Sequence, residues 1–200
     1  MKPLLFPMVF RIIAGHNLSV PEDWQEQLVD LLGSKPRRQS RWCELGLWGA
    51  LRCLHNTNNN PLSGHVSIRV YSENGTIEAT RKALEQAGEH LPLPVTFMQT
   101  LPGQLFNALG SALGWHGDGC SIAGANRQQT EIEMLRNIRQ TSLLAWVDEV
   151  PEMVSLWVLL ERTTAPDIPL VWTAVTSIFE ISEATQWVQL DAAGKLFQAS

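Results

Sequence analysis

Residues 142–161 read SLLAWVDEVPEMVSLWVLLE, and their arrangement decides the fold class. Two runs, 142–147 and 154–160, have the length and the apolar, β-branched composition of buried strands. The link between them is long enough for an antiparallel turn and too short for the crossover that parallel strands need. The acidic residues of DEVPE, on this reading, belong to a hairpin turn.

Working outward, strands alternate with helices upstream. Residues 9–14, 65–72 and 120–123 read as strands, and helices are expected to open near residue 20 and over 42–54, 76–87, 102–113 and 127–140. An α/β domain with a mixed five-stranded sheet covered by helices follows. In the first helix Ser19 is placed to cap, Pro21 suits the first turn, and Trp24, Leu28, Leu31 and Leu32 share a face that ends near Gly33. The stretch 42–54 is apolar nearly all round except at Glu44 and Arg52, the pattern of a buried helix. Over 76–87 the positions Ile77, Thr80, Ala83, Leu84 and Ala87 form a stripe expected to face inward. Leu105, Phe106, Leu109, Ala112 and Leu113 recur at helical spacing, with small residues between them that admit another backbone. Residues 55–64 have loop composition, and Pro92, Pro94, Pro166 and Pro169 break the chain. Residues 170–179 suggest an edge strand and 184–197 carry no firm pattern, so 163–200 stands as an extension of one domain spanning residues 1–200.

The 200 residues carry 20 acidic and 15 basic side chains, a net charge of −5, whose general field repels nucleic acid and anionic membrane. No apolar run is long enough to span a bilayer. The start, MKPLLFPMVFRIIAG, is interrupted by Pro3, Pro7 and Arg11 and reads as a first strand, not a signal peptide. Cys43, Cys53 and Cys120 form no CxxC pair, which suits reduced thiols in a cytoplasmic protein. His16, His55, His65, His90 and His116 show no metal-ligand spacing, so neither a metal nor a cofactor is expected. The glycines of GWHGDG match no phosphate-binding fingerprint.

The stretch 114–129, GWHGDGCSIAGANRQQ, carries the chemical question, because it has the shape of a nucleophile-bearing turn. Taken in order, RRQSRWCELGLWGAL, LPVTFMQTLPGQLFNALGSALGW, GDGCSIAGAN and VDEVPEMVSLWVLLER resemble the N-terminal half of β-ketoacyl synthases, over roughly residues 8–162. The likeness is to the short, degenerate members described as chain-length-factor subunits, as in aryl polyene pathways. It implies a layered thiolase-like half in which a strand leads to a tight turn carrying a cysteine at a helix N-terminus, where partial positive charge stabilises a thiolate. Laid on the family's turn, Gly117, Asp118, Ile122 and Ala125 fall in register, and Asn126 stands at the nucleophile position. An amide cannot form the acyl thioester of condensation, whereas Asn is a preferred N-cap. The family's two histidines belong to a C-terminal half that these residues do not hold, so the resemblance implies no catalytic residue and no activity for the chain by itself.

What the resemblance implies in place of catalysis is pairing. The strand before the turn pairs antiparallel with its counterpart in the other subunit, and Gln99, Leu101, Phe106, Leu109, Cys120 and Ile122 become candidates for the partner interface or the wall of an acyl tunnel. The implied partner is a complete β-ketoacyl synthase in a heterodimer serving fatty acid, polyketide or aryl polyene biosynthesis. An acyl carrier protein comes in through that complex, and Arg37, Arg38 and Arg41 could meet it, although a charge run before a helix is ordinarily solvated. Two other readings stand beside this one. Cys120 could serve a stand-alone thiol acyltransferase or hydrolase, with His116 nearby in sequence, although a thiol in a strand is ordinarily a small buried hydrophobe. Alternatively the chain is a scaffold that binds no acyl group.

Overall fold

The computed structural model describes residues 7–55, 57, 62–89, 93–164, 170–181 and 186–199. The sequence expectations at His90, Pro92, Pro166, Pro169 and half of the 55–64 loop lie outside them. The elements run β1 (Met8–His16), α1 (Trp24–Leu32), α2 (Arg41–Leu54), β2 (Ser67–Ser72), α3 (Ile77–Glu89), α4 (Pro94–Gln99), α5 (Gly103–Leu113), β3 (Gly119–Ala123), α6 (Arg127–Arg136), β4 (Thr141–Asp148), β5 (Val154–Thr163), β6 (Trp172–Val175), a 3-10 turn (Ile178–Glu180), β7 (Trp187–Leu190) and β8 (Leu196–Ala199).

All described strands join one mixed sheet in the order β3-β2-β4-β5-β1-β7-β8-β6. β2 lies parallel to both β3 and β4, and the remaining pairs are antiparallel. The hairpin over residues 142–161 is β4–β5, paired from Thr141↔Glu161 to Asp148↔Val154. The sheet therefore has eight strands, not five. Of the three additional strands, β6 lies within the 170–179 stretch that suggested an edge strand and ends the sheet, whereas β7 and β8 come from residues of weak pattern, four in each strand, with β7 placed by its pairing to β1, as in Met8↔Leu190, and β8 by its pairing to β7.

Helices cover both faces, and the strands' period-two alternation feeds two cores. On one face Ile68, Val70, Leu143, Ala145, Val147 and Trp157 meet α1, α2 and α5. On the other Tyr71, Leu144, Val158 and Leu160 meet Met134 and Leu135 of α6 and the apolar residues of the 3-10 turn. Ten of the fourteen residues of α2 are buried, as an all-round apolar helix requires. Its N-cap is Ser40, whose Oγ accepts from Cys43 N at 3.2 Å. Gly49 is where α2 crosses β5, because a Cβ there would stand 2.1 Å from Ser155 Oγ and 2.6 Å from the Trp157 ring.

Four local expectations are corrected. α1 begins after Asp23, so Ser19 does not cap it. α6 stops at Arg136, four residues early, because the chain must turn at Asn137 to enter β4. Of the stripe expected to face inward on α3, only Ala83 is buried, while Ile77, Thr80, Leu84 and Ala87 are exposed, for the described elements leave that side of the helix uncovered. Cys120 is exposed, since β3 is the edge of the sheet with one neighbouring strand.

Candidate functional site

The corner between β3 and α6 is built from both sides. β3 runs beside β2 from Ile68↔Gly119 to Ser72↔Ala123, and Gly124 N donates to Ser72 O at 3.3 Å. The Tyr71 hydroxyl donates to Gly124 O at 2.7 Å, and burial, with Glu73 beside it, pushes the phenol up to about 12, so it remains a donor. Asn126 Oδ1 then accepts from Gln129 N at 3.0 Å, while Thr130 Oγ1 donates to Asn126 O at 2.9 Å. The amide is thus engaged in closing the helix start. Arg127 leaves the corner to lie over the Trp146 ring, 4.3 Å from its centroid.

The turn on the β2 side is held by two acids that the sequence places in a hairpin loop. Asp148, buried, accepts through Oδ1 from Ser72 Oγ at 2.6 Å and Asn74 N at 3.0 Å, and through Oδ2 from Glu73 N at 3.1 Å and Trp146 Nε1 at 2.8 Å. Glu149, also buried, accepts from Glu78 N in the first turn of α3, and burial raises its carboxyl above the usual range. A solvated turn needs no such acids; these two replace the water that the backbone N–H groups of 73, 74 and 78 would otherwise bind. The signal available in sequence was Ser72–Glu73–Asn74–Gly75 facing Asp148 across a parallel strand pair.

On the opposite side of α6 a third acid was missed. Glu131 is buried, accepts from Ser177 Oγ at 2.9 Å and from Ile178 N, and has its carboxyl raised, chiefly by burial. It fastens the 3-10 turn of the C-terminal extension to α6.

The edge of β3 is open, with a groove on each face. One, of about 770 Å³, is lined by Cys120, Ile122, His65, Arg69, Asp118 and Glu133, among others. The other, of about 570 Å³, is lined by Phe106, Trp115, His116, Gly117 and Gly119. Gly119 is required there, because a Cβ would meet Phe106 Cδ1 at 2.6 Å. Cys120 shares its groove with His65 and not with His116, which faces the other groove. Its Sγ donates to Ser121 O at 3.6 Å. Cys43 and Cys53 are buried and burial pushes both thiols up to about 12, which removes them as nucleophiles.

The structure divides the candidate interface residues. Cys120 and Ile122 lie on the open edge, half-buried Phe106 lies under it, and Leu101 is exposed just ahead of α5. Gln99 is half-buried, its Nε2 donating to Gln39 O at 3.0 Å. Leu109 is corrected: it is fully buried in the core between α5 and the sheet and reaches no surface. Arg37 and Arg38 are exposed, and Arg41 donates to Met153 Sδ at 3.3 Å. Among the described residues no group of three or more His, Cys, Asp or Glu is placed to hold a metal ion. No helix among them is long and apolar enough to cross a membrane.

No family model matches the sequence, and no curated protein does. Among solved structures the chain is similar to one titled "Ketosynthase (ApeO) in Complex with its Chain Length Factor (ApeC) from Xenorhabdus doucetiae". The likeness has 14% identity and a TM-score of 0.48, over 98% of this chain and 97% of that one.

Proposed function

We propose that the chain is a non-catalytic, ketosynthase-like subunit of chain-length-factor type, which pairs with a complete β-ketoacyl synthase. The observation that supports it best is an unpaired strand edge leading into a nucleophile-type corner whose last residue is the helix-capping amide of Asn126. The corner keeps the architecture that would present a thiolate and carries a group that cannot accept an acyl chain. An edge strand without charge or proline on its outer side is a hazard unless another chain covers it. The partner's edge adds to β3 beside Ile122, and Gln99, Leu101 and Phe106 wall the end of its acyl tunnel. Such a wall discriminates by roughly 1–3 kcal/mol per added carbon group. The product is a fatty acid, polyketide or aryl polyene chain carried on an acyl carrier protein.

Co-expression with each complete β-ketoacyl synthase of the same genome tests this. A stable one-to-one complex is expected, with Phe106→Ala shifting the length of the chains that the complex makes. Absence of any complex sinks the proposal, as does an Asn126→Ala variant that loses an activity of the isolated chain.

One observation favours a second reading. Cys120 is exposed in the same groove as His65, so a thiol acyltransferase or hydrolase would find both groups there. Acylation of Cys120 by a small thioester, lost on His65→Ala, would select that reading over the first.

A further inference from the structure

Among the described residues nine large apolar side chains are exposed, and seven of them fall between residues 77 and 101. Leu93, Phe97 and Leu101 stand four residues apart and form one line along α4 and its flanks, with Met98 beside them. Ile77 and Leu84 add a second line on α3. Seven exposed large apolar side chains on two neighbouring helices and their flanks form a ridge and not a scatter, and such a concentration marks an interaction surface.

The two helices that carry the ridge have almost no core of their own. Ala83 is the one buried residue of α3 and Thr96 the one buried residue of α4. Packing of an apolar face is what ordinarily stabilises helices this short, and here that face points away from the chain. They are held by polar fastenings instead. Glu149 accepts from Glu78 N, Thr76 Oγ1 donates to Thr100 O at 2.6 Å, and Gln99 is tied to the loop before α2. A ridge braced from below and bare above is prepared for a surface laid on it.

Its surroundings state what that surface is like. At one end Met98 shares a cleft of about 280 Å³ with Arg37, Arg38, Gln104 and Asn107. Neither arginine has an ion-pair partner among the described residues, and Arg38 holds a φ of 63°, a conformation a bulky side chain adopts only at a cost. At the other end the ridge continues through Leu101 and α5 to Phe106, under the open edge of β3. A bilayer could cover the apolar line but would leave the backbone groups of that edge unsatisfied.

We propose that this ridge is the main contact surface for the partner subunit, continuous with β3, and that the covering face is apolar at its centre and acidic where it meets Arg37 and Arg38. The inference rests on the reading of the chain as a ketosynthase partner and deepens it. A five-residue strand edge is far short of the roughly 800 Å² that each side of a stable interface buries. The ridge supplies the missing apolar area, and the unpaired guanidinium groups select acidic residues at the rim.

The test is binding of the purified full chain to the complete β-ketoacyl synthase that co-purifies with it, followed by interferometry. The variants are Phe97→Ser with Met98→Ser, Arg37→Glu with Arg38→Glu, and Ser121→Pro at the strand edge, each checked by thermal melting. The ridge pair is expected to weaken binding roughly thirtyfold or more with an unchanged melt. Charge reversal is expected to weaken it roughly tenfold and flatten its salt dependence. If both pairs bind like the parent while Ser121→Pro does not, the ridge proposal is overturned and the partner reading survives. If no ketosynthase binds the parent chain, both fall. The proposal is equally overturned if Phe97→Ser with Met98→Ser abolishes self-association of the isolated chain or binding to phosphatidylglycerol vesicles while leaving ketosynthase binding intact.

Discussion

α2 and α3 are nearly the same length, fourteen and thirteen residues, and the chain treats them oppositely. α2 buries ten residues against β1, β4, β5 and α5, whereas α3 buries Ala83 alone. Both carry apolar residues at helical spacing. The difference shows that an amphipathic stripe declares an intention to be covered without saying by what. For α2 the cover is this chain's own sheet and helices, whereas on α3 the described elements leave the stripe bare.

The largest effect that would sharpen this contrast lies in α2. Trp48 is almost fully buried, meets the His16 ring edge-on at 5.0 Å, lies 6.5 Å from the Trp24 ring, and donates to Gln27 Oε1 at 3.2 Å. Trp48→Ala should cost about 3–5 kcal/mol, from lost burial and the cavity it leaves. Urea denaturation reads it, as a fall in midpoint at constant slope.

The same cluster makes a prediction in pH. His16 is buried beside Trp48, its Nε2 has no hydrogen-bond partner, and burial, with Arg52 adding a smaller share, lowers it from 6.5 to about 4. The folded chain therefore holds the neutral ring, and the unfolded chain takes up a proton first as pH falls. This stability is fully present above pH 6.5 and is lost progressively down to about pH 4, by about 3 kcal/mol at most. Glu131, Glu149 and Glu44 act in the opposite sense, since burial raises each and favours the folded state at low pH. The His16 share is isolated as the stability difference between the parent and His16→Phe, which should change between pH 7 and pH 4. A difference that stays flat across that range refutes the assignment.

How much was legible follows from what each feature depends on. The β4–β5 hairpin and buried α2 were readable because neighbouring residues alone determine them. The mixed sheet was readable from the short link between residues 147 and 154. The edge strand suggested in 170–179 is there as β6, but β7 and β8 were not readable, because β7 pairs with β1 across most of the chain and four residues hold too little periodicity to show it. Cys120 was misplaced because alternation tells which face a side chain takes, not whether the strand lies at an edge. Asp148 and Glu149 were hidden for a similar reason: an acid in a tight turn looks solvated until the backbone donors it serves are brought across from β2 and α3. At the corner, Asn126 just ahead of the helical run that begins at Arg127 announced a cap, since that pattern is local.

The cap gives a prediction of intermediate size. Removing Asn126 Oδ1 leaves Gln129 N to water at an exposed helix start, so Asn126→Ala should cost about 1 kcal/mol. Asn126→Asp, which retains the acceptor and adds charge favourable to a helix N-terminus, should cost nothing or stabilise slightly. A cost beyond about 2 kcal/mol for the alanine variant would mean the side chain does more than close the helix.

The smallest expected effect bears hardest on the contrast between the two helices. Leu84 is 68% exposed in the middle of α3, four residues beyond Thr80 and seven beyond Ile77 on the uncovered line. If that line is bare in the isolated chain, Leu84→Ser removes no buried contact, and only helix propensity changes, within about 0.5 kcal/mol. The same substitution at a position like Leu45 of α2, which has no exposure at all, would remove a full side chain from the core. Measured in the isolated chain and again in the complex with a ketosynthase, Leu84→Ser should be silent in the first and destabilising in the second. A cost of 2 kcal/mol or more in the isolated chain, the scale of a buried leucine, would show that α3 is already covered there and that its stripe had a partner within the chain after all.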